Sequence, residues 1–202
     1  MFLKNYCNIS DEELMIMVGK KDQKAFSELY DRYADRLVNY FYRMLWQDRE
    51  KAQDFAQDLF TKLIHKPHLY DGKRAFKTWM FSIANNMCKN EYRKQEVRKN
   101  TSYEVTHDVA GETGTETERA IDRTAFAEHL NEALTALDET KRSTFEMRYR
   151  EELSIKEISV VMECSEGTVK SRLFYTLKIL NEKLKVYEGI GLMFILIQIL
   201  FE

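Results

Sequence analysis

The chain has 202 residues, 32% charged and 44% hydrophobic, with 7 glycines and one proline, a composition that excludes a turn-rich β or collagen-like architecture and predicts an all-α protein. Its formal charge of −2 hides an uneven distribution: residues 1–99 carry 19 basic and 14 acidic side chains, residues 100–140 carry 2 and 10, and residues 141–202 carry 10 and 9. Cys7, Cys88 and Cys164 are too few and too scattered for a disulfide framework, the four histidines add no zinc-ligand spacing, and the N-terminus lacks an apolar signal, so export is not expected.

From Asp11 to about Arg98 nearly everything reads as helix. Phe26, Leu29, Tyr30, Tyr33, Leu37, Tyr40, Phe41, Met44 and Leu45 fall on one face of a long helix, the pattern of a packed core. The next helix, about residues 48 to 65, is expected to bury Ala52, Phe55, Ala56, Leu59, Leu63 and Ile64. On its other face Asp54, Gln57 and Asp58 lie within one turn of each other, with Phe60 beside them. Paired carboxylates can serve acid–base chemistry. Here no Gly-rich phosphate loop or nucleophile accompanies them, so a polar docking face for a basic protein partner is the better reading.

A break at Lys66-Pro67-His68 and an Asp71-Gly72 turn signal lead into a third helix that begins near Arg74 and runs past Tyr92. Lys73, Arg74, Phe76, Lys77 and Trp79 bring three cations and two aromatics together, which suits unpaired nucleic acid: charge follows the backbone and rings stack on bases. The same residues read equally as a helix with Phe76 and Trp79 in the core. Farther along, Asn85 and Asn86 can bond base edges, and Lys89 and Arg93, followed by Lys94, Arg98 and Lys99, can neutralise phosphates.

Between about Asn100 and Glu118 the pattern lapses into a polar, acidic stretch that reads as a linker. Helical spacing resumes at Ala120 with Ile121, Phe126, Leu130, Leu134 and Leu137. Residues 154 to 180 then read as a helix-turn-helix. Ser154 with Glu157 is a capping box, Ser165 a second cap, and Val169, Leu173, Leu177 and Leu180 form an apolar stripe. Glu166, Thr168, Lys170, Ser171, Arg172, Phe174 and Tyr175 are left to face DNA, since the second helix of such a motif lies in the major groove. An ordinary helical hairpin with solvated charges is the bland alternative. The terminal run from Gly189 to Phe201 is apolar but shorter than the roughly 20 residues of a spanning helix, and is expected to pack on the chain itself or on a partner.

Taken together, AFSELYDRY, DFAQDLF, FKTWMFSIANN with the following Arg93, and EGTVKSRL resemble, in order and spacing, the small two-domain extracytoplasmic-function group of bacterial RNA polymerase sigma factors. The resemblance covers about residues 11–98 and 120–185. It implies a first domain over 1–98, a flexible acidic linker over 99–119, a helix-turn-helix domain over 120–187 and an apolar tail over 188–202. It further implies that Asp54, Gln57, Asp58 and Phe60 dock on core polymerase. Lys73, Arg74, Phe76, Lys77, Trp79, Asn85, Asn86, Lys89 and Arg93 would open and hold the −10 promoter element, and the helix after Ser165 would read the −35 element.

The expected partners are core RNA polymerase, promoter DNA and an anti-sigma factor. No cofactor, metal or small-molecule substrate is expected, no enzymatic activity, and a cytoplasmic location that includes retention at the inner membrane through the anti-sigma factor. Departures from the family pattern fall at Asp138, where Pro is usual, at Glu163, where Gly is preferred, and in the run Phe174-Tyr175-Thr176-Leu177, where the pattern has His or Phe, then Arg, Ala and Arg, so that two phosphate or base contacts are missing. A free-standing repressor using the same helix-turn-helix as a homodimer and a helical adaptor with no DNA role remain as alternatives. Neither needs a polar docking helix followed by an aromatic-basic segment.

Overall fold

A short polar side chain opens most of the helices in the computed structural model, which describes residues 5–101 and 123–185. Ser10 accepts from the Glu13 N–H at the start of α1 (Asp11–Gly19), and Asp22 from Lys24 and Ala25 at the start of α2 (Gln23–Met44). Asp48 does the same for α3 (Arg49–His65), accepting from Lys51. These acceptors satisfy N–H groups that the first helical turn leaves unpaired. The next helix, α4 (Phe76–Thr101), starts differently: the Phe76 N–H donates to Glu12 Oε1 of α1 at 2.9 Å, a long-range cap that ties the loop before it to the first helix.

Leu29, Tyr33, Leu37, Tyr40, Phe41 and Met44 are buried along α2, as their spacing predicts. Tyr30 is 45% exposed and Ile64 47% exposed, against expectation. In α3 the buried face runs through Ala52, Ala56, Leu59, Phe60 and Leu63, and Ile64 lies one residue past it, rotated about 100° toward solvent. In the loop, Asp71 Oδ1 accepts from the Lys73 N–H at 3.0 Å while Gly72 takes φ +69°, a turn that only glycine adopts freely.

The second half comprises α5 (Arg123–Thr135), α6 (Glu139–Phe145), a wider π-helical turn over Glu146–Arg150, α7 (Ile155–Val161) and α8 (Glu166–Lys183). Asp138 accepts from the Lys141 N–H, so the residue standing in place of the usual Pro caps α6. The Ser154–Glu157 capping box closes in both directions, and Ser165 accepts from the Thr168 N–H. Glu163 sits in the turn between α7 and α8 at φ 52°, which for a residue with a Cβ costs roughly 1–2 kcal/mol. Replacing Ser154 with Ala should lower stability by about 1 kcal/mol. A thermal melt would read that as a fall of about 2–4 °C.

Val169 and Leu173 of α8 share a buried cluster with the first half, whereas Leu177 and Leu180 pack with Ala133, Leu134, Leu137 and Phe145. Met147, Leu153, Ile158, Val161 and Met162 also enter the first-half cluster, so the helix-turn-helix is seated on the first four helices. Residues 102–122 and 186–202, which hold nearly all of the expected acidic linker and the apolar tail, lie outside the described residues. Among the described residues no helix is long and apolar enough to cross a membrane.

Candidate polymerase and nucleic-acid interfaces

On α3 the side chains of Asp54, Gln57 and Asp58 are exposed. Phe60 is not: it is 5% exposed and packs edge-on to Phe26, with ring centroids 6.1 Å apart, and against Tyr30 at 4.7 Å. Its ring therefore holds the exposed Tyr30 in place beside the acidic face rather than offering itself to a partner. The result is a mixed surface of carboxylates and one aromatic, the composition of an interface whose partner is basic with an apolar contact.

The aromatic-basic segment divides along the lines that sequence left open. Phe76 and Trp79 are buried with Tyr33 and Tyr70, ring centroids 5.1–5.9 Å apart, and are core. Lys73 and Arg74 stand exposed on the loop, which Tyr70 braces by donating to the Arg74 carbonyl at 2.8 Å. On α4, Asn86 and Arg93 are exposed and Lys89 is half-buried, giving one face of cations and an amide. Two members of the set are covered. Lys77 donates to the Glu151 carbonyl, and burial, with Arg36 nearby, holds its ammonium below the ordinary lysine range. Asn85 is 2% exposed, its Oδ1 accepting from Ser143 Oγ at 2.9 Å while its Nδ2 is buried without a partner.

On α8, Glu166, Lys170, Ser171, Phe174 and Tyr175 are exposed, and Thr168 and Arg172 are half-buried. Thr168 is drawn to the cap through Ser165, and an Arg172 Nη1 lies 3.6 Å from Cys164 Sγ. Phe174 and Tyr175, 49% and 55% exposed, stack edge to face with centroids 5.5 Å apart. Two large rings held open to solvent on a helix whose other face is fully packed are side chains available to a partner.

Sequence reasoning missed the groups that join the two halves. Arg36 Nε lies 3.1 Å from Glu151 Oε2, and Arg43 pairs with both Glu146 and Glu151. Thr78 donates to Glu157 at 3.0 Å, and Tyr40 OH lies 3.1 Å from Ser143 Oγ. Arg36 and Arg43 stand seven residues apart on one helix face, the only trace of this in the sequence. Burial raises the Glu146 carboxyl despite the opposing pull of Arg43 and Arg150. Alongside lies a cavity of about 350 Å³ lined by Tyr42, Arg43, Gln47, Glu132, Arg142 and Arg150 among others, with cations and carboxylates interleaved.

Both halves of the chain match known families. The Sigma-70 region 2 family model matches residues 29–98, and the Sigma-70 region 4 model matches residues 128–180. The RNA polymerase sigma-H factor of Pseudomonas aeruginosa is 29% identical over 182 residues, covering 87% of this chain and 94% of that protein. The ECF RNA polymerase sigma factor SigW of Bacillus subtilis is 29% identical over 179 residues, covering 83% and 93%. Among solved structures, the sigma factor RpoE of Bartonella quintana, in complex with the anti-sigma factor NepR, aligns with a TM-score of 0.66 at 22% identity, covering 82% of this chain and 99% of that one. CnrH, in complex with the cytosolic domain of CnrY, aligns with a TM-score of 0.65 at 21% identity, covering 88% and 99%. These two structures share the fold.

Proposed function

The chain belongs to the sigma-70 family, in its extracytoplasmic-function group, and on that premise we infer that it is an alternative sigma factor that binds core RNA polymerase and directs it to promoters. The observation that carries this reading is the pairing, in one chain and in order, of a region 2 domain with a region 4 domain. A homodimeric repressor needs only the helix-turn-helix, and an adaptor needs neither part.

In this reading residues 1–98 form the domain that binds polymerase and the −10 element, and residues 120–187 the domain that reads the −35 element. Asp54, Gln57 and Asp58 meet the polymerase. Lys73, Arg74, Asn86, Lys89 and Arg93 contact the −10 strand from the exposed face, joined by Lys77 and Asn85 once these are uncovered. Phe60, Phe76 and Trp79 act from beneath, holding the docking and DNA-binding faces in shape. On α8 the surface of Glu166, Thr168, Lys170, Ser171, Arg172, Phe174 and Tyr175 faces the −35 major groove.

Bond-making stays with the polymerase, so we assign the chain no catalysis of its own. It works where core polymerase works, in the cytoplasm. An anti-sigma factor is its second protein partner, as NepR is for RpoE, and where that factor is membrane-bound it would hold the chain at the inner membrane. Transcription from a genomic library with purified core polymerase tests the reading directly. New start sites should appear only when the chain is added, sharing a −10 and a −35 sequence, and an identical transcript set with and without it would overturn the assignment.

A further inference from the structure

The cavity of about 350 Å³ belongs to none of the polymerase-facing or DNA-facing surfaces, and the charges around it are only partly matched to one another. Three arginines, Arg43, Arg142 and Arg150, line it together with three glutamates, Glu128, Glu132 and Glu146. Arg43 and Arg150 both pair with Glu146. Arg142 has no such carboxylate among the described residues. It is 6% exposed, and its Nε and Nη2 donate to the carbonyls of Leu134, Thr135 and Leu137 at the end of α5, while its Nη1 is buried with no acceptor. A charged donor buried without an acceptor is destabilising, and an anion entering the cavity would remove that cost.

Two further features shape what could enter. Arg142, Glu146 and Arg150 stand four residues apart and follow one face into the π-helical turn over Glu146–Arg150, a rare widening that occurs most often where a helix builds a site. Glu146 is fully buried, and its Oε1 accepts no hydrogen bond although Oε2 faces Arg43 and Arg150. Glu128 and Glu132, one turn apart on α5, are by contrast exposed and form the solvent side of the lining. A phosphate or dicarboxylate that reached Arg142 would lie close to these two carboxylates, and a simple cation would be repelled by Arg142. A molecule with one charge of each sign satisfies both ends. We propose that the cavity binds a free amino acid, its carboxylate accepting from Arg142 Nη1 and its ammonium donating to Glu128 and Glu132. The volume falls at the small end of ligand pockets, and Tyr42 and Leu134 leave an apolar stretch of wall for the ligand's side chain. The site goes beyond the promoter reading and asks nothing of it, so either can fail without the other.

A ligand held there touches α2, α5 and α6 at once and stabilises the folded chain by mass action. The probes are the twenty free amino acids, each added at millimolar concentration to the full chain. One or a few should raise the melting temperature and bind in isothermal titration calorimetry with one molecule per chain. Acetate and methylammonium, which carry one charge each, should bind at least about tenfold more weakly, because neither engages both ends. Arg142→Lys loosens the end of α5 as well as the site, so the exposed glutamates carry the test. Glu128→Gln combined with Glu132→Gln should leave the ligand-free melting temperature at its parental value and weaken the amino acid by roughly three- to tenfold, the scale for two solvent-exposed charges. The same variant should bind acetate more tightly than the parent does, since the repulsion at the mouth is gone. Absence of binding by all twenty would overturn the proposal. Acetate binding as tightly as any amino acid would reduce the site to one for a simple anion and overturn the zwitterion assignment. An amino acid whose affinity is unchanged in the double glutamine variant would lie elsewhere on the chain, which also overturns it.

Discussion

Reversing the charge of Asp58 to Arg is expected to weaken association with core polymerase by about 2–5 kcal/mol, the range for opposing or truncating one member of a close interfacial charge pair. At that scale the dissociation constant rises by a factor of roughly 30 to several thousand. Asp58 stands exposed on α3 with Asp54 and Gln57, while the buried side of the same helix, through Ala56, Leu59 and Phe60, is packed. A substitution there changes the surface and leaves the core intact, so the melting temperature should stay within a degree or two. Binding of the full chain to a −35 duplex should also be unaffected, because α8 carries that surface. Asp54→Arg should act in the same direction. Tyr30→Ala offers a sharper contrast: it removes an exposed ring stacked on Phe60 without altering charge, and loss of core affinity there would extend the interface onto α2. A pull-down in which Asp58→Arg retains parental affinity for core would remove this helix face from the interface.

The helices and their caps were legible because they are local. Ser154 with Glu157, Ser165 with Thr168, and the stripe of Val169, Leu173, Leu177 and Leu180 each follow from spacing within one or two turns, and each is found as expected. Aromatics were harder, since a ring at helical spacing has the same pattern whether it is core or binding surface. Phe60, Phe76 and Trp79 proved to be core, and Tyr30, expected in the core, proved to be half exposed. What sequence could not supply was how the second half sits on the first. Ser143 meets Asn85 across 58 positions, and Arg36 meets Glu151 across 115. Contacts at that separation are set by tertiary packing, for which no local periodicity exists. Residues of the second half, Glu151 and Glu157 among them, meet Lys77 and Thr78 at the start of α4, and residues 102–122 lie outside the described part of the chain.

On α8 the exposed side chains fall into two chemical classes, and alanine substitution should separate them. Lys170 is a flexible ammonium suited to a phosphate, so Lys170→Ala should weaken binding to all −35 sequences alike and reduce the slope of affinity against salt by about one ion. Phe174 has nothing to offer a phosphate. Held open by its edge-to-face contact with Tyr175, it presents an apolar edge of the kind that packs against a thymine methyl group in the major groove. Phe174→Ala should therefore cost about 1–3 kcal/mol on the preferred sequence, little on others, and leave the salt slope unchanged. Arg172 is intermediate, since one guanidinium nitrogen already lies against Cys164, and its removal should combine a smaller salt effect with a looser turn. The measurement is a binding selection from randomised −35 duplexes with the full chain and with alanine variants at Lys170, Ser171, Arg172, Phe174 and Tyr175. Relaxed preference at one or two base pairs in the Phe174 variant, against an unaltered preference in the Lys170 variant, is the expected pattern. If all five variants select the parental sequence, the reading surface lies elsewhere on the domain, and the exposed ring pair on α8 has some other partner.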